Sequence, residues 1–157
     1  DAIKDIPVTY IGLEEARAFC KWRGARLPTE IEWQYAAQGT DGRVYPWGSS
    51  KDQSKYPVTQ NGTTFEGPTS VFAHPGGASP FGLQDLVGNV WQYTDEFQDD
   101  HTRGVIVRGG SNYRPSGSKW YFPQALELTS HNKYFLMSAR YERAGTIGFR
   151  CVVDAAQ

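Results

Sequence analysis

The chain has 157 residues, and its 16 basic and 17 acidic side chains nearly cancel and alternate without a long run of either sign, so nothing points to a nucleic-acid or membrane-surface partner. No apolar run approaches the roughly 18 to 20 residues needed to cross a bilayer, so membrane insertion is not expected; the first twelve residues lack a signal-peptide pattern, and an export signal would lie upstream. Seventeen glycines, nine prolines, five Trp, nine Tyr and eight Phe describe one loop-rich domain over residues 1–157, with loops anchored by large flat side chains.

Residues 13–23 read as an amphipathic helix, with Leu13, Ala16, Phe19 and Cys20 on one face and Glu14, Glu15, Arg17 and Lys21 toward water. Gly24 stops it. Pro28 then precedes Thr29 and Glu32, which have the spacing of a capping box, and Ile31, Trp33, Ala36 and Ala37 supply the apolar contacts of a second helix ending at Gly39. Core packing is the reading for both helices. From 40 to 80 the chain turns on Gly, Pro, Ser and Thr, pinned by Tyr45, Trp47, Tyr56, Phe65 and Phe72.

Residues 81–95, FGLQDLVGNVWQYTD, are the densest stretch. Gly82 and Gly88 among apolar neighbours suit tight turns and close chain approach. Asn89 between Gly88 and Val90 is expected to be buried, with both ends of its amide satisfied either by backbone, as a turn-holding Asn, or by a cation. After a polar turn at 96–103, Val105, Ile106 and Val107 make a buried strand. Arg108, Gly109, Gly110 and Ser111 follow, readable as a bulge at a strand end or as a place where a ligand meets the backbone. Residues 147–153 form the closing strand, Ile147, Phe149 and Cys151 on one face and Arg150 on the other.

GNVWQYTD is similar to the GNVWEWT signature of the formylglycine-generating enzyme (sulfatase-modifying factor) family, whose fold is a variant of the C-type lectin fold. The blocks at 6–39, 45–48 (YPWG), 108–111 (RGGS) and 147–151 (IGFRC) occur in that family's order. The resemblance implies an α+β, C-type-lectin-like domain, two helices packed on short antiparallel sheets, and a chain matching the C-terminal part of the family domain. It implies a disulfide between Cys20 and Cys151, against the alternative of two thiols in a reducing cytosol. It implies two calcium sites. Thr63 and Thr64 ahead of Phe65 remove the acid of the first, and the second would rest on Asn89, Val90 and Gln92, with Gln92 where the family has Glu.

In the resembled enzymes two cysteines after RGGS hold copper and meet the substrate thiol. Here Arg114 and Lys119 stand at the approximate positions, and cationic side chains cannot act as soft metal ligands or exchange thiols, so neither copper nor formylglycine generation is expected. A second branch, iron-dependent sulfoxide synthases, is resembled by Arg114, Pro115 and residues 121–123; its iron sits on histidines of another domain, while His74, His101 and His131 here are read in unrelated polar loops without helical metal-pair spacing.

The expected function is a ligand- or protein-binding module, with a substrate-binding domain of an iron-dependent oxidoreductase as the alternative. The binding surface is read at Arg108, Asn112, Tyr113, Arg114, Trp120, Tyr121 and Arg140, because Tyr, Trp and Arg bury large areas while keeping polar handles. The expected ligand is a carbohydrate, a peptide or a small molecule, met by one part of a larger multidomain chain in an extracellular, periplasmic or secretory compartment.

Overall fold

A computed structural model describes residues 3–62, 65–115, 128, 131–135 and 143–155. Helix α1 (Leu13–Trp22) opens with the Glu15 carboxylate accepting from Gly12 N–H at 2.8 Å, and Gly24, at φ 71°, lets the chain leave it. Leu13, Ala16 and Cys20 are its buried face. Phe19, expected beside them, is instead 48 % exposed. It lies about a quarter turn round the helix from Cys20, where it packs edge-on against Phe149 at 5.6 Å. Helix α2 (Glu30–Gln38) has the expected capping box: Thr29 Oγ1 accepts from Glu32 N–H and the Glu32 carboxylate accepts from Thr29 N–H. Trp33 and Ala37 are buried, whereas Ile31 sits on the opposite side of the helix and faces solvent, correcting its assignment to the core.

Four strands form the main sheet in the order β5–β3–β2–β6: β2 (Trp91–Phe97), β3 (Gly104–Arg108), β5 (His131–Phe135) and β6 (Ile147–Gly148). Alternation then sorts the side chains between two cores. Trp91, Tyr93, Val105, Val107 and Ile147 pack with α1 through Leu13, Ala16 and Cys20, together with Leu27. Gln92 and Arg108, paired across β2 and β3, turn to the other side, where Trp33, Ala37, Leu86, Val87, Tyr45, Tyr56 and Leu128 form the second core. Cys20 and Cys151 are joined by a disulfide, Cα to Cα 5.5 Å, tying α1 to the closing segment.

The sheets are mixed rather than antiparallel. β6 runs parallel to β2, and β1 (Gln60–Gly62) runs parallel to β4 (Tyr113–Pro115). Each partner arrives after a connection of tens of residues, long enough to bring it in from the opposite end. The closing strand is also shorter than expected: after Gly148, among the described residues, only Val152 pairs again, with Arg26. His131 opens β5 rather than lying in a loop.

Candidate functional site

At the end of β3 the chain reverses through Gly109 and Gly110, at φ 96° and 71°. A Cβ on Gly109 would stand 2.4 Å from the Leu86 carbonyl, so glycine is demanded by both conformation and space. Asn112 then donates its N–H to the Asn89 carbonyl at 3.0 Å and its carbonyl accepts from Gln60 N–H, which sets β4 beside β1. The Asn112 side chain is buried, Nδ2 donating to the Gly67 carbonyl at 3.2 Å while Oδ1 has no donor.

Along β4, successive side chains point to opposite faces. Tyr113 packs against Phe65, ring centroids 5.1 Å apart, while Arg114 is exposed and makes no side-chain hydrogen bond or ion pair among the described residues. Gly145 closes this end: a Cβ there would lie 2.8 Å from the Tyr10 hydroxyl and 3.1 Å from Phe65. Tyr10, Phe65 and Tyr113 therefore gather in one place, Tyr10 at a left-handed φ of 56° and 63 % exposed. Tyr10 was not legible as part of this surface, because only the fold brings residues 10 and 145 together. Trp120, Tyr121 and Arg140, expected on the same surface, lie outside the described residues, as do Thr63 and Thr64.

Arg108 corrects the expectation of a ligand contact. Its side chain is 1 % exposed: Nη1 donates to Glu30 at 3.0 Å, Nη2 to Gln34 at 2.8 Å and to the Leu128 carbonyl, and the guanidinium lies 5.0 Å from the Trp33 ring centroid. It joins β3 to α2. Burial pulls its pKa down and the Glu30 charge opposes that.

Asn89 is satisfied by backbone. Oδ1 accepts from Thr69 N–H at 3.0 Å, and Nδ2 donates to the Thr69 carbonyl at 2.9 Å and to Asp85 at 3.0 Å. Gln92 Oε1 accepts from Trp33 Nε1 at 2.9 Å and Arg150 Nε at 2.6 Å, and Val90 is buried. Calcium takes six to eight oxygens. In Asn89, Val90 and Gln92 both side-chain oxygens already accept from N–H donors, so this set as arranged does not fit the ion. Among the described residues no three His, Cys, Asp or Glu side chains come together as a metal group.

The two helices, the short mixed sheets and the long anchored loops are those of a C-type-lectin-like domain. PvdO from Pseudomonas aeruginosa superimposes with a TM-score of 0.65 at 17 % identity, covering 92 % of this chain and 60 % of that one. The chain belongs to the sulfatase-modifying factor enzyme 1-like domain family, whose model matches residues 1–155. It is 40 % identical over 117 residues to the inactive C-alpha-formylglycine-generating enzyme 2 of Bos taurus, covering 68 % of this chain and 38 % of the relative. It is 30 % identical over 168 residues to the formylglycine-generating enzyme of Mus musculus, covering 94 % and 44 %. The hercynine oxygenase of Mycolicibacterium smegmatis is 39 % identical over 157 residues, covering 80 % and 36 %. The chain thus spans less than half the length of these relatives.

Proposed function

We propose that the chain is a non-catalytic binding module on a formylglycine-generating-enzyme scaffold, meeting a carbohydrate, peptide or small-molecule ligand at the β4 surface. The observation that carries this reading is Arg114: an exposed guanidinium with no side-chain partner among the described residues occupies the approximate position of a catalytic thiol in the resembled enzymes, on the same short strand as Tyr113, whose ring gathers with Tyr10 and Phe65 on the other face. Guanidinium and aromatic side chains are the usual anchors of binding sites. Both cysteines of the chain are held in the disulfide, so no thiol is left for copper or for exchange with a substrate cysteine. Similarity to an inactive paralogue supports the same reading. A disulfide suits an extracellular, periplasmic or secretory setting, and the partial coverage of the relatives suits a place in a larger chain.

On this reading the purified chain leaves a sulfatase-type cysteine peptide unconverted and binds copper(I) without a stoichiometric tight site. Mass spectrometry of the peptide and a copper titration check both; formylglycine product, or a tight one-to-one copper site, would overturn the reading. Binding is tested on glycan and peptide arrays. For a ligand found there, Arg114→Ala and Tyr113→Ala are each expected to cost about 1 to 3 kcal/mol of affinity. Unchanged affinity in the double variant places the ligand elsewhere.

The second reading, a substrate-binding domain of an iron-dependent oxidoreductase, is supported by the similarity to hercynine oxygenase. It requires histidine ligands from outside this chain and is favoured if a histidine-bearing helical domain occurs in the same polypeptide.

A further inference from the structure

Asp85 and Arg150 face one cavity of about 390 Å³, walled by Val71, Phe72, Leu83 and Phe149. Their charges are opposite and near enough to influence one another, yet neither a hydrogen bond nor an ion pair joins the guanidinium to the Asp85 carboxylate; Arg150 reaches only the Asp85 backbone carbonyl. The reason is anchoring. Arg150 gives Nε to Gln92 at 2.6 Å and Nη2 to the carbonyls of Gln84 and Asp85 at 3.2 and 3.0 Å, which fixes the guanidinium plane and leaves Nη1 without a partner among the described residues. The Asp85 carboxylate accepts at Oδ2 from Asn89 Nδ2 at 3.0 Å, and its Oδ1 has no partner among the described residues, on a backbone held at φ 56°.

A half-buried acid and a half-buried base, each held back from the other, leave two charges incompletely compensated in one small space. A ligand bearing one charge would satisfy only one of them, whereas a ligand bearing both satisfies the pair. Burial pushes the Asp85 carboxyl up from its ordinary range, against the opposing pull of Asn89 and Arg150, as expected for a carboxylate short of partners. The apolar walls and the size suit a small organic molecule.

We infer that this cavity binds a free amino acid or similar small zwitterion, its ammonium toward Asp85, its carboxylate toward Arg150 and its side chain against Phe72 and Phe149. The site does not depend on the β4 surface. The test is a titration of the ¹⁵N-labelled chain with L-leucine and L-phenylalanine, alongside N-acetyl-L-leucine and L-leucinamide, each of which lacks one charge. Saturable shifts of the Leu83, Asp85 and Arg150 amides are expected with the free amino acids, at least tenfold weaker binding with both blocked forms, and at least tenfold weaker binding in Asp85→Asn. Arg114→Ala should leave the titration unchanged. Absence of saturable shifts, equal binding of the blocked forms, undiminished binding in a folded Asp85→Asn, or shifts produced by calcium ions and not by amino acids would each overturn the inference.

Discussion

Reduction of the Cys20–Cys151 disulfide is expected to lower the unfolding free energy by about 5 kcal/mol, the size the chain-entropy model assigns to a loop this long. The sequence separation is 131, so the bond closes most of the chain and forbids the expanded conformations of the unfolded state that a reduced chain regains. Total stabilities of single domains run to roughly 5 to 15 kcal/mol, so the loss takes a large share. The bond also acts locally. Cys20 is fully buried against Leu27 and Trp91, and close to it Arg26 and Val152 exchange both backbone hydrogen bonds, at 3.0 and 2.8 Å, so the covalent tie and the bridge hold the same two segments. Urea unfolding of oxidised and reduced protein is the measurement, and the reduced chain should also show the larger dependence on denaturant because more surface is exposed on unfolding. Two reactive thiols in unfolded, unreduced protein, or a difference below about 1 kcal/mol, would count against it.

What could be read from the sequence was what is decided within a few residues. The Thr29 and Glu32 capping box is a contact three residues long, and the structure has it. The burial of Val105, Ile106 and Val107 is legible in a short apolar run, and the structure buries all of them, while alternation sends Arg108 to the α2 side. What sets the role of Arg108 is different: Glu30 and Gln34 are 78 and 74 residues away, and nothing local to RGGS records them. An exposed guanidinium at a strand end and one buried against a helix have the same sequence. Asn89 shows the same limit, since a turn-holding Asn and a metal-binding Asn both need burial, and only Thr69, twenty residues away, decides that backbone satisfies the amide. Strand direction is invisible for a related reason. Alternation is identical in parallel and antiparallel pairs, so β6 against β2 had to be seen. Asp85 lay within the densest stretch, but an acid beside a turn reads as solvated until Arg150, 65 residues on, is found facing the same cavity.

Replacing Arg108 with Ala is expected to destabilise the fold by about 3 to 5 kcal/mol, the cost of breaking a buried ionic contact by removing one partner. The guanidinium is 1 % exposed and serves three acceptors on two segments, Glu30 and Gln34 on α2 and the Leu128 carbonyl, while its face lies over Trp33. Its removal leaves a carboxylate, an amide oxygen and a carbonyl without that donor and opens a cavity beneath α2. Arg108→Lys should recover little, because one ammonium cannot reproduce a planar fork that reaches separate acceptors. Arg108→Met combined with Glu30→Gln should recover more, since it fills the volume with apolar atoms and removes the carboxylate charge as well; Nε, already buried without an acceptor, is one polar atom whose loss costs nothing. Urea unfolding of the three variants beside the parent chain checks the order. A loss below about 1 kcal/mol in Arg108→Ala, or full recovery in Arg108→Lys, would show that the contact between β3 and α2 does not depend on the guanidinium, and would return Arg108 to the set of residues available to a ligand.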